Sequence, residues 1–206
     1  MKIEINLKII LLGILFLVLR QFDLYLIFLI FIVAHEMAHL AVGMLMGLRP
    51  KVFSINPLGM AVEFYSFKER KVYKKIATYL AGPIMNLGLA IIFAVVPMEN
   101  GLREKIVYTN LVLAIFNLMP ILPLDGGKIL KEILVKSVGN KNAAIFMNKL
   151  TQVILVVITV LYSIFILQMK NFAIFLLIVY LWYLKYLEDK KLKTMMMAYE
   201  VIEKKA

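Results

Sequence analysis

From Leu24 to Leu48 the chain reads LYLIFLIFIVAHEMAHLAVGMLMGL, an apolar run long enough to cross a bilayer that nevertheless carries His35, Glu36 and His39. Hydrocarbon offers no hydrogen bonds to a peptide backbone, so such a segment must satisfy itself internally, as a helix. In a helix, residues four apart share a face. The two imidazoles therefore project side by side and can bind one metal ion, while Glu36 stands next to them, placed to take a proton from a metal-activated water. Ionisable groups at membrane depth are costly, and are functional suspects for that reason. A pair of satisfied core histidines is the plain alternative. It requires the only two histidines of the chain to fall by accident at this one spacing, with Glu second, and to stand unused in the membrane.

Of the 206 residues, 63% are hydrophobic and the mean hydropathy is +0.88, well above the apolar share of about 45–50% usual in soluble domains. The fold class expected is an all-α polytopic membrane protein. Hydropathy gives about six spans, near residues 5–19, 24–48, 76–97, 106–122, 153–168 and 172–184. With the N-terminus in the cytoplasm, the inner segments hold 20 of the 24 Lys and Arg, leaving only Arg20, Arg103, Lys105 and Lys170 elsewhere. That bias orients both termini toward the cytoplasm. It also accounts for most of the net charge of +11 as topology and attraction to anionic lipid rather than nucleic-acid binding, because the basic residues lie between apolar runs and not along one face. Lys2 and Lys8 before an apolar run resemble a signal peptide, but the run ends in Arg20-Gln21-Phe22-Asp23 with no small-residue cleavage site, so a retained first span is expected.

Residues 1–184 read as one membrane domain and residues 185–206 as a basic, helix-prone cytoplasmic tail. The segment after the metal-binding run departs from the helical pattern. Val52-Phe53-Ser54-Ile55 and Ala61-Val62-Glu63-Phe64-Tyr65 flank the turn sequence Asn56-Pro57-Leu58-Gly59, which predicts a short β-hairpin whose edges can pair with an extended peptide; a plain cytoplasmic loop is the alternative. Between Lys128 and Leu150 the sequence turns amphipathic and is expected at the cytoplasmic surface.

The chain has no cysteine, so metal must be held by nitrogen and oxygen, and two histidines call for a carboxylate as third ligand. Asp125 is the best candidate. Pro120 and Pro123 break the preceding span and free backbone groups, which a membrane tolerates only where the chain is buried in protein or lines a polar cavity. Gly126 and Gly127 then let backbone approach closely. Asp125 could instead cap the helix that follows. His35 and His39 lie about 16 to 22 Å along their span at 1.5 Å per residue, so the broken segment must bring Asp125 back toward them. Asn86, in Gly82-Pro83-Ile84-Met85-Asn86, and Asn117, which opens the Pro-rich segment, are candidates for binding substrate backbone or an oxyanion, or are interhelical glue.

HEMAH in one span, Gly82 to Asn86 in the next and Asn117 to Gly127 in the one after it together resemble the site-2 protease family, the intramembrane zinc metalloproteases of peptidase family M50. By position, the resemblance implies His35, His39 and Asp125 as ligands of one zinc ion, Glu36 as catalytic base, and Asn86 and Asn117 as active-site neighbours. The size, and the lack of a PDZ-like insertion, resemble the compact branch that includes stage IV sporulation protein FB, whose members often carry a C-terminal CBS domain not found in these 206 residues. Implied too are a multi-pass setting in a bacterial cell membrane, a membrane-protein substrate such as a tethered transcription-factor precursor, and a regulatory membrane partner. A membrane metal transporter would need further ligands along a path, and an inactive homologue acting as a scaffold would have no need of Glu36. Zinc-dependent hydrolysis of a membrane substrate is therefore the expectation.

Overall fold

The structure is a computed structural model that describes residues 2–5, 22–56, 59–169 and 172–203. In chain order these form strand β1 (Lys2–Ile5), helix α1 (Phe22–Leu45), strands β2 (Pro50–Asn56) and β3 (Gly59–Phe64), a 3-10 turn (Phe67–Glu69), and helices α2 (Val72–Val95), α3 (Asn100–Leu118), α4 (Asp125–Met169) and α5 (Phe172–Glu203). The architecture is mainly helical with one small sheet. The chain divides into two compact units, Met1–Leu118 and Met119–Ala206.

Among the described residues, three helical stretches are long and apolar enough to cross a membrane: Phe22–Leu45, Val72–Val95 and Asp125–Ile164. They carry the spans expected near 24–48, 76–97 and 153–168. The spans expected near 106–122 and 172–184 overlap α3, which ends at Leu118, and the first part of α5, neither of which is among the three. Ile5, expected to open a first span, instead closes β1, because the alternating Lys2-Ile3-Glu4-Ile5 pairs in parallel with residues 52–55 of β2. The rest of that expected span, residues 6–19, lies outside the described residues.

In the first unit α1, α2 and α3 pack around Ile27, Phe31, Ile106 and Leu113, with Phe28, Leu89, Phe93 and Met98 closing on them. Phe31 meets Phe93 edge to face at 5.7 Å, and Lys105 pairs with Asp23 where α3 and α1 begin. Beside this apolar core, buried polar side chains and exposed apolar ones stand out. His35, Asn86 and Asn110 are buried, while Ile91, Val95 and Ile115 stand outside. Apolar outer faces on this scale suit a lipid surround.

The hairpin expected after α1 is present: β2 and β3 are antiparallel, with Ser54 opposite Ala61 and Asn56 opposite Gly59; residues 57 and 58 of its turn lie outside the described residues. α1 ends in a Schellman motif. Gly47 takes φ 77°, Leu48 N–H donates to the Gly43 carbonyl at 3.0 Å and Gly47 N–H to Met44 at 2.9 Å. Lys74 of α2 adds a bond to the last free carbonyls, at Met46, of 2.7 Å. The chain thus turns sharply, and the end of β3 returns against α1. Phe64 packs with Leu40 and Leu48 and lies so close to Gly43 that a Cβ there would sit 2.3 Å from its ring. Gly43 is four residues past His39, so the sheet is pinned to the histidine face of the helix.

In the second unit, a loop ahead of α4 folds back tightly. Leu122 and Pro123 are joined by a cis peptide bond, Leu124 N–H donates to the Ile121 carbonyl at 2.8 Å, and Leu122 N–H donates to the Thr151 hydroxyl at 3.0 Å. The amphipathic stretch expected over 128–150 is the first part of α4. Gly139, at φ 78° and ψ 165°, interrupts its helical path. α5 continues through the expected tail as far as Glu203; Trp182 donates to Thr159 at 3.0 Å, and Tyr199 lies against Asn140 and Lys141.

Candidate metal centre

His35 and His39 lie one turn apart on α1, both buried. Their rings meet edge to face with centroids 4.7 Å apart. Each ring spends its Nδ1 on a partner from α2: His35 on the Asn86 side-chain oxygen at 2.5 Å, and His39 on the backbone carbonyl of Thr78 at 2.6 Å. A carbonyl oxygen only accepts, so Nδ1 carries the proton in His39, and in the neutral ring Nε2 keeps its lone pair. Both Nε2 atoms then aim at one place. A Cβ built on Gly82 would stand 2.5 Å from each of them. The space that a side chain at 82 would fill is the space where two lone pairs converge, which is the arrangement a bound cation needs.

The local sequence explains why α2 can serve as this platform. Pro83 lacks the N–H that would bond the carbonyl of Tyr79 and loosens that turn. The neighbouring Thr78 carbonyl accepts from His39, while the Thr78 hydroxyl turns back onto its own helix, to the Lys74 carbonyl at 2.8 Å. Gly82 leaves the approach open. Glu36 is half-buried and follows His35 on α1.

Asn86 belongs to this constellation through its oxygen. Its amide nitrogen donates to the Asn110 side-chain oxygen at 2.9 Å, and Asn110 in turn donates to the Ile106 carbonyl at 2.9 Å. Reading the residues alone overlooks Asn110, along with the part played by the Thr78 carbonyl. Asn117, near the end of α3, gives its amide to the Leu113 carbonyl of the same helix at 3.0 Å.

In the second unit, Asp125 is buried at the first position of α4 and forms an ion pair with Lys128 at 3.2 Å. The loop before it leaves no room at Gly127, where a Cβ would come within 2.3 Å of the Ile121 carbonyl oxygen. In the sequence reading Asp125 is the carboxylate that completes a ligand set with two histidines. Two imidazoles and a carboxylate would be a donor set suited to zinc.

Comparison with known proteins agrees with this chemistry. The model of "Peptidase family M50" matches residues 24–104 and 101–161. The Synechocystis sp. protein sll0528 is 32% identical over 121 residues, 55% of this chain and 32% of its own length. Stage IV sporulation protein FB of Bacillus subtilis is 30% identical over 106 residues, 50% of this chain and 37% of its own. Zinc metalloprotease MJ0392 of Methanocaldococcus jannaschii is 27% identical over 123 residues, 56% and 35% respectively. The chain thus spans about a third of the length of these relatives. The solved structure of the site-2 protease from Methanocaldococcus jannaschii superposes with a TM-score of 0.70 at 21% identity, over 90% of this chain and 89% of that one, a likeness of fold. Since the family model covers most of the chain, including both histidines and Asp125, this protein belongs to peptidase family M50.

Proposed function

We propose that the chain is a zinc-dependent intramembrane endopeptidase, hydrolysing a peptide bond in or near a transmembrane segment of a membrane-bound substrate. The observation that carries this reading is the convergence of two Nε2 lone pairs on the open side of Gly82, with both Nδ1 atoms already committed. His35, His39 and Asp125 would hold the ion. Zinc supplies, when bound, Lewis-acid activation of water and of the scissile carbonyl.

The remaining work falls to side chains of this protein. Glu36 takes the proton of the attacking water and returns it to the leaving amine. Asn86 has its oxygen on His35 and its nitrogen on Asn110, which makes it an orienting group more than an oxyanion donor. Asn117 is the better candidate for holding substrate backbone. A helical substrate shields its peptide bonds, so the target segment unwinds first, and Gly, Pro or polar residues there ease that step. The setting we propose is a multi-pass protein of a bacterial cell membrane with about six spans over residues 1–184 and both termini in the cytoplasm, an orientation the Lys and Arg distribution supports. A membrane-tethered transcription-factor precursor is a fitting substrate, and a regulatory membrane partner fits the same role.

Glu36→Gln tests the reading. The amide cannot act as base, and removing a general base costs about 10²–10⁴ in rate. Cleavage of a membrane substrate should fall by that much, and a precursor should accumulate in membranes of cells carrying the variant. Undiminished cleavage would sink the mechanism.

A further inference from the structure

Three buried amide and imidazole groups form one unbroken line across the first unit: Ile106 carbonyl, Asn110, Asn86, His35. Asn86 and Asn110 are wholly buried, and His35 nearly so. The direction of every hydrogen bond in the line is set at its far end. The Ile106 carbonyl only accepts, so Asn110 must present its NH₂ there and its oxygen to Asn86. Asn86 must then present NH₂ to Asn110 and oxygen to His35, and His35 must donate from Nδ1. A reversal of any one amide would set donor against donor or oxygen against oxygen among buried groups, a penalty of about 1–3 kcal/mol for each unmade bond.

We infer that Asn110 is a positioning residue of the metal centre: with the Ile106 carbonyl as anchor, it fixes the orientation of Asn86, and through it the His35 tautomer that keeps Nε2 unprotonated, as a metal ligand must be. Left alone, Asn86 could rotate its amide and offer NH₂ to His35, which would move the imidazole proton to Nε2 and occupy the ligand atom. His39 needs no such relay, because its partner is itself a backbone carbonyl that cannot reverse. This inference rests on the metal-centre reading above.

The test is equilibrium zinc affinity of the full chain in detergent, measured by competition with a chromophoric chelator. Loss of an orienting partner typically weakens metal binding 10- to 100-fold. Asn110→Leu should show a loss in that range, and so should Asn110→Ser, whose short hydroxyl can reach its own helix but not Asn86 and which stands in if the leucine variant does not fold. Asn110→Asp should stay close to wild type, since a buried carboxyl is held neutral and a neutral carboxyl donates to Ile106 and accepts from Asn86 as the amide does. In an Asn86→Leu background, Asn110→Leu should cost no further affinity, because the relay is already cut. A merely structural asparagine would lower stability alike in both backgrounds and leave the affinity of folded protein unchanged. Wild-type affinity in folded Asn110→Leu or Asn110→Ser, or equal losses in the two backgrounds, would overturn the relay alone. Absence of zinc affinity in the wild type would overturn both the relay and the metal centre.

Discussion

The two units of this molecule hold the side chains proposed as metal ligands by opposite means. In the first unit, polar side chains buried among apolar helices orient the ligands: Asn86 and the Thr78 carbonyl fix two rings, and Gly82 contributes by having no side chain at all. In the second, backbone carries the load. Asp125 sits at the end of a loop held by its own turn and by Thr151, and Gly127 is needed because the Ile121 carbonyl lies where a Cβ would be. The difference teaches that a small substitution in the first unit should strike metal binding and spare the fold, whereas one in the second should strike the fold first.

The sharpest way to break that contrast is to add one methyl group at Gly82. Alanine favours a helix over glycine by roughly 0.5–1 kcal/mol, which offsets part of the cost of the extra methyl, so Gly82→Ala should melt no more than slightly below the wild-type temperature. Its Cβ, however, would stand 2.5 Å from both Nε2 atoms. Zinc affinity should fall by roughly 100-fold or more, beyond what loss of an orienting partner costs. A variant that melts early and keeps its zinc would invert the comparison. The matched change in the second unit, Gly127→Ala, should instead lower stability by about 1–3 kcal/mol, the usual penalty for forcing an extra methyl into a packed site, as read by thermal melting in detergent.

The smallest effect expected lies away from both sites, on α5. Burial pushes the Asp189 carboxyl up, but hydrogen bonds from Lys185 and Asn148, with Lys193 nearby, outweigh it and hold the pKa below its ordinary 3.8. A lowered folded-state pKa means the stabilisation is fully present above the ordinary value and is lost as pH falls through the lowered one. Lys185 is buried but Asp189 is more than a third exposed, so solvent screens the carboxylate and the pair is worth about 0–1 kcal/mol. Asp189→Asn should therefore lower the melting temperature slightly at neutral pH, and the difference from wild type should vanish in strong acid.

Residue types and spacing made much of the site legible. Histidines four apart in an apolar run leave little freedom in a membrane, and prolines and glycines around Asp125 announce a broken span. The hairpin was readable from its turn residues. Other features depend on pairings that local sequence does not encode. β1 exists through parallel pairing with residues some fifty positions away, so Ile5 reads as the start of a span. Asn110 looks like any polar residue near a helix centre until Asn86, 24 residues earlier, is placed against it. Gly82 is visible as part of a motif, but its reason, the two nitrogens converging on it, belongs to three dimensions.

The central claim is that two histidines with committed Nδ1 atoms present a ready pair of ligands to zinc, and metal content of the purified chain tests it most directly. The account predicts one zinc per chain in wild type, the same in Glu36→Gln, and loss of it in His35→Ala and His39→Ala. Wild-type protein without stoichiometric metal, or histidine variants that keep theirs, would contradict it.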